Sequence, residues 1–237
     1  MTRRVLLLTC EHGGARVPAR YRKLFQTRAA RAALRTHRGS DLGALALARA
    51  LHRSLGTPLF ESSVTRLLVD LNRSVGHPQL FSEFSKPLDA GERAALLARH
   101  YFPHREAVES WIADQVSRRR EVVHIGVHSF TPRLDGRVRT ADVGLLYDPA
   151  RADELRFCRD WKAALRALDA TLRVRRNYPF LGKADGLVTH LRGTFPRRKY
   201  LGIELEVNQA RLAAPGPSRQ LARLIAESLV AVLPPAR

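Results

Sequence analysis

The sequence predicts an α/β fold whose sheet is covered by helices on both faces. Short apolar runs with strand character alternate along the chain with longer stretches of helical periodicity. The chain has 237 residues and is 45% hydrophobic, enough for a sizeable core within one domain spanning 1–237. Reactive side chains also gather where several of the predicted strands end, and in open α/β sheets ligands bind beyond the carboxyl ends of strands.

The elements follow in order. Val5 to Thr9 is an apolar run ended by polar residues and the pair Gly13-Gly14, which predicts a buried strand. Ser40 to Leu55 is rich in Ala and Arg and reads as a helix, with Ser40 or Asp41 as its cap and Gly56 then Pro58 as its stop. Arg66 to Asp70 predicts the next strand. Gly91 to Arg119 carries apolar residues at helical spacing, with a break or kink at Pro103. Val122 to His128 and Val143 to Tyr147 read as strands, and Ala152 to Ala170 as a helix. Leu172 to Arg175, Gly186 to His190 and Tyr200 to Val207 are further strand candidates. Ser218 to Leu233 predicts a closing amphipathic helix that ends before Pro234-Pro235.

Composition narrows the function. With 41 Lys+Arg against 22 Asp+Glu the formal net charge is +19, a balance that raises nucleic acid as a partner. The cations are spread along the chain in short clusters such as Arg118-Arg119-Arg120. There is no basic tail, zinc-finger spacing or aromatic-rich RNA-binding strand. No specific nucleic-acid function is therefore expected. No apolar run approaches the roughly 20 residues that span a bilayer, so no membrane association is expected either. The segment after Met1-Thr2 is too short for a secretory signal, and Cys10 and Cys158 are the only cysteines. Reduced thiols in the cytoplasm are the default expectation.

Four strand ends carry the chemistry: Cys10-Glu11-His12, Asp70-Leu71-Asn72-Arg73, His128-Ser129 and Glu204-Leu205-Glu206. His12, Asp41 and His128 are the residue types of a catalytic zinc site, two imidazoles and a carboxylate with a position left for water. No local His-Glu-x-x-His pattern is present, so the fold must bring them together. Asp41 has a rival role as a helix cap, and His37 competes for a ligand position. Glu204 and Glu206 are two apart and share one face of an otherwise apolar strand, which makes either a candidate general base. Asn72 and Arg73 suit a carboxylate, because Arg offers a planar fork and Asn adds a donor. His124 lies deeper on the strand of His128 and reads as structural.

Taken together, Cys10-Glu11-His12-Gly13, His37-x-x-x-Asp41-x-Gly43, Arg66-Leu-x-Val-Asp70-x-Asn72-Arg73, Asn177-x-Pro179-x-x-Gly182, His128-Ser129-Phe130 and Glu206-Val207-Asn208-Gln209 form a set. It resembles the N-formylglutamate amidohydrolase family. That resemblance implies a three-layer α/β/α sandwich around a mixed central sheet, phosphorylase/hydrolase-like and similar to zinc carboxypeptidases. The sequence departs from carboxypeptidases at His12, which Gly13, Gly14 and Ala15 follow in place of His-x-x-Glu. The carboxylate ligand must then come from elsewhere: Asp41 by its place in the family motif, with Glu11 and His37 as substitutes.

The resemblance further implies Zn2+ as cofactor, Glu206 as general base, and Asn72, Arg73 and Arg66 around the substrate carboxylate. The implied substrate is a small N-acyl amino acid, foremost N-formyl-L-glutamate, in histidine degradation. Two rivals stay open: the same machinery on another N-acyl amino acid or a peptide, and a non-enzymatic Arg-rich protein that binds polyanions.

Overall fold

The computed structural model describes residues 3–233. Its strands are β1 (Arg4–Cys10), β2 (Leu59–Glu61), β3 (Glu121–Phe130), β4 (Arg133–Leu134), β5 (Arg137–Val138), β6 (Val143–Leu146), β7 (Val174–Arg176) and β8 (Tyr200–Asn208). Six of them form one sheet in the order β2-β1-β3-β8-β6-β7, and β4 and β5 pair as a separate hairpin. All neighbours in the six-stranded sheet run parallel except β6 and β8, so the sheet is mixed.

The helices are α1 (Arg28–Leu34), α2 (Ala44–Leu55), α3 (Ala90–Leu96), α4 (Phe102–Ser117), α5 (Ala152–Leu168), α6 (Leu187–Thr194) and α7 (Pro215–Val232). They cover both faces, which gives the three layers. On one face Leu8, Val123, Ile125, Ile203 and Leu205 meet Leu47 of α2, Trp161 of α5 and Ile225 of α7. Each such fully buried aliphatic side chain contributes roughly 1.5–3 kcal/mol. On the other face Leu7, Val122 and Tyr200 pack with Val108 and Ile112 of α4 and Leu187 and Leu191 of α6.

Strand parity positions the site. Side chains alternate between faces along a strand, so Val122, His124, Gly126 and His128 of β3 share the α4/α6 face. On β8 the matching residues are Tyr200, Gly202, Glu204 and Glu206, and the register sets His128 directly beside Glu206. This face is apolar where the strands begin and ionisable where they end.

Three sequence expectations are corrected. Arg66 to Asp70 is a buried turn, not a strand: the Leu68 N–H donates to Thr65 O (3.0 Å) and the Asp70 N–H to Leu80 O (2.9 Å). Its apolar residues sit in a second cluster with Phe25, Leu80 and Leu96. A short apolar run reports burial and does not separate a strand from a packed turn. The strand in this region is β2, just upstream, paired to β1.

Gly186 to His190 begins helix α6, where Leu187 and Leu191 repeat at helical spacing and Asn72 Oδ1 accepts the Leu187 N–H (2.7 Å). Neither Ser40 nor Asp41 caps α2, whose N-cap is Gly43 at φ 83°. A Cβ there would lie 2.7 Å from Leu212 Cβ, so both conformation and space call for glycine.

Elsewhere expectation and structure agree closely. Gly56 ends α2 in the left-handed region, its N–H donating to His52 O. The break around Pro103 takes the form of a π-helical turn, Leu97–Tyr101, between α3 and α4, with the proline in the first turn of α4, where no N–H is needed. The pair Pro234-Pro235 lies outside the described residues.

A buried ion network links α5, α6 and β8. Glu154 of α5 accepts from Arg151 (2.9 Å), Arg192 of α6 (3.1 Å) and the Gly202 N–H of β8 (3.2 Å), while Arg192 also donates to Gly202 O (2.7 Å). Removing the carboxylate strands two buried guanidinium groups. Glu154→Ala is expected to lower unfolding free energy by about 3–5 kcal/mol in urea denaturation. A loss below about 1 kcal/mol would show that the network carries little stability.

Candidate active site

The loop after β1 delivers His12. Gly13 and Gly14 let it pass tightly over the neighbouring chain, since a Cβ at either would approach Ser62 O or Ser63 O to 2.7 and 2.6 Å. The Asp41 N–H donates to His12 O (2.9 Å), which docks the segment before α2 on this loop. Ser129, at the end of β3, fixes the same segment by donating from Oγ to Leu42 O (2.8 Å). The sequence-distant residues His12, Asp41 and His128 are thereby brought together and buried.

Their orientation is specific. Asp41 Oδ2 lies 2.9 Å from His128 Nδ1 and 3.5 Å from His12 Nδ1. The opposite ring nitrogens face other carboxylates: His12 Nε2 is 2.7 Å from Asp70 Oδ1, and His128 Nε2 is 3.3 Å from Glu11 Oε2. Both imidazoles thus present Nδ1 to Asp41; Asp70 holds His12 Nε2, whereas His128 Nε2 faces Glu11 without a hydrogen bond among the described residues. Asp70 is in turn gripped by Arg66 through Nη2 (2.8 Å) and Nε (3.1 Å), and it accepts the Asn72 N–H (2.9 Å). Arg66 Nη1 also reaches Asp41 Oδ1 at 3.4 Å. Burial opposes ionisation of Asp70, yet Arg66 and His12 prevail and hold its carboxyl below the usual range.

This arrangement suits a divalent cation. One ligand atom from each of His12, Asp41 and His128 lies within 4.8 Å of the others. His12 Nδ1 is buried without a hydrogen-bond partner among the described residues, an orphaned acceptor a cation would satisfy. An imidazole that gives one nitrogen to the metal and the other to a carboxylate is the usual outer support of such sites. Glu11 stands behind His128, with His104 Nε2 3.7 Å from its other oxygen, and His37 lines the cleft outside the group of three.

The group opens into a cleft of about 180 Å3. Glu206 lines it with a buried Oε2 that has no partner among the described residues. Burial, reinforced by the charges of Asp41 and Glu204 and opposed by His128, pushes its carboxyl up to about 8. Glu204 differs, since its Oε1 accepts from Asn72 Nδ2 (3.1 Å). Arg73 also faces the cleft, with one Nη donating to Asp185 O (2.5 Å) and a buried Nε left without a partner. His124 sits apart, fully buried between Thr9 Oγ1 (2.8 Å) and Tyr200 OH (2.7 Å), and burial lowers its pKa to about 4.

Sequence reasoning passed over two residues near this site. His104 comes from α4 and carries no local motif. Arg139 reaches the cleft from the β4–β5 hairpin, whose Asp135-Gly136 turn has φ 47° and 75°. An Asp-Gly pair between short strand-like segments is a recognisable hairpin signal, and it was available in the sequence.

Comparison with known proteins agrees with these features. The family model for N-formylglutamate amidohydrolase matches residues 4–213. A gene product from Agrobacterium tumefaciens is 30% identical, with TM-score 0.80, over 96% of this chain and 91% of that one. An N-formylglutamate amidohydrolase from Ralstonia eutropha JMP134 is 17% identical with TM-score 0.66, over 98% of this chain and 94% of that one, and shows the same fold. No curated protein matches the chain. With a cleft of this chemistry on this sheet and a family match across most of its length, the chain belongs to the N-formylglutamate amidohydrolase family, and so to the amidohydrolases.

Proposed function

We propose that this amidohydrolase is zinc-dependent and cleaves N-formyl-L-glutamate to formate and glutamate. The observation that carries the reading is the pair of buried imidazoles, both turning Nδ1 toward Asp41, with His128 set beside Glu206 in the cleft. His12, Asp41 and His128 would hold the metal. When bound, zinc supplies a Lewis acid that polarises the amide carbonyl and acidifies water.

The remaining chemistry belongs to the chain's own side chains. Glu206 takes a proton from the water that attacks the formyl carbon, and it returns that proton to the nitrogen as the C–N bond breaks. Its raised pKa, from burial first, suits a group that must both accept and donate near neutrality. Arg73 and Asn72 receive the α-carboxylate. Arg73 has an unused Nε, and the Asn72 amide spends one N–H on Glu204 and retains the second. Arg66 balances the charge of Asp70 and Asp41, which keeps Asp70 ionised against His12.

Elemental analysis with a deformylation assay on the same samples tests the reading. Wild type is expected to carry near-stoichiometric zinc and to release formate from N-formylglutamate, with His128→Ala losing both. Glu206→Gln is expected to keep the metal and lose activity by roughly 10²–10⁴-fold. Absence of zinc after reconstitution, or a fully active Glu206→Gln, would contradict the mechanism. Asp70→Asn, which weakens the support of His12, is expected to lower zinc affinity by about 10–100-fold in competition with a chelating indicator. Unchanged affinity would remove Asp70 from the metal's support.

A further inference from the structure

Arg139 is the cleft-lining arginine whose guanidinium makes neither an ion pair nor a hydrogen bond among the described residues. Arg66 is committed to Asp70 and Asp41, and Arg73 gives one nitrogen to Asp185 O. The Arg139 head instead lies against two aromatic rings, 5.9 Å from the Phe130 centroid and 5.2 Å from that of Phe180. Aromatic faces attract and place a guanidinium without using its N–H donors. A planar five-donor fork is thus held at the cleft with its bidentate capacity intact.

The supports of this position are built, not incidental. Asn208, just beyond the candidate base on β8, donates from Nδ2 to the carbonyls of Arg139 (3.1 Å) and Ala141 (2.9 Å). The Arg139 N–H donates to Pro132 O (2.8 Å), closing the base of the hairpin. On the other side Asn177 Oδ1 accepts from the N–H groups of Tyr147 (3.0 Å) and Gly182 (3.2 Å), which folds the loop that carries Phe180. A Cβ on Gly182 would fall 2.1 Å from Tyr147 N, so the loop closes there only with glycine. Two of the sequence motifs, around Asn208 and Asn177, therefore converge on one unpaired guanidinium.

We propose that Arg139 is a specificity-determining residue that binds the side-chain carboxylate of a dicarboxylic N-acyl amino acid. The assignment rests on the proposed reaction in one respect, that Arg73 and Asn72 take the α-carboxylate. A monocarboxylic substrate leaves Arg139 unmatched between Phe130 and Phe180, whereas a second carboxylate fills both forks.

The test compares N-formylglutamate with N-formylglutamine, its near-isosteric neutral analogue, in wild type and Arg139→Gln. Steady-state kinetics are expected to show the wild type favouring N-formylglutamate by roughly 10- to 100-fold in kcat/KM, mainly through KM. Arg139→Gln is expected to lose that preference, its kcat/KM falling far more on N-formylglutamate than on N-formylglutamine, and Arg139→Lys to recover part of it. Equal losses on both compounds, or a wild type indifferent to side-chain charge, would overturn the assignment. If neither compound turns over, the proposed reaction fails. Calorimetric binding of the same two compounds then decides the matter: tighter binding of the dianion that disappears in Arg139→Gln supports the inference, and equal binding overturns it.

Discussion

Three adjacent parallel strands, β1, β3 and β8, impose an alternation on which everything else in this molecule depends. One parity is apolar between the Arg4–Glu121 ion pair at its start and Ser129 at its end, and it is sealed by α2, α5 and α7. The other begins apolar beneath α4 and α6 and ends in His124, His128, Glu204 and Glu206. A shift of one residue in the pairing of β3 or β8 would drive those ionisable groups into the apolar layer. It would also expose the aliphatic groups that fill that layer. Burial on the apolar side thus fixes the register, and the register in turn sets His128 beside Glu206.

The same sheet faces an electrostatic problem. Glu11, Asp41, Asp70 and Glu206 are buried around His12 and His128, and desolvation opposes ionisation of each. Arg66 answers for Asp70 and Asp41, and the two histidines answer for Glu11 and Asp41. Glu206 is left over, and its carboxyl is pushed up to about 8. A cluster with more buried acids than fixed cations favours an added positive charge, and the group His12, Asp41 and His128 could hold one. The proposed metal and the proposed proton-carrying role of Glu206 both draw on this one charge imbalance.

The parts of this that were legible in the sequence are those with strong local signals. Val5 to Thr9, Val122 to His128 and Tyr200 to Val207 are buried strands whose polar ends stand out against apolar runs. The Gly56 stop of α2 and the break at Pro103 carry their own chemistry. The misreadings have a common cause. Arg66 to Asp70 and Gly186 to His190 are short and apolar, and their conformation is decided by distant partners, Leu80 for the first and Asn72 for the second. Asp41, expected as a metal ligand, kept a rival role as a helix cap because its carboxylate is not distinguishable locally from any other N-terminal Asp; the cap is Gly43 instead. Only Ser129 and His12, tied to its segment through space, turn it inward.

The proposed mechanism stands or falls with zinc bound by His12 and His128 through Nδ1, with Asp41 between them. Anomalous diffraction at the zinc edge from crystals of the zinc-loaded protein tests it most directly. One strong peak bonded to both Nδ1 atoms and to the Asp41 carboxylate is expected, with Asp70 and Glu11 still facing the Nε2 atoms. A peak bonded through Nε2, or one held by Glu11 or His37 in place of Asp41, would contradict it.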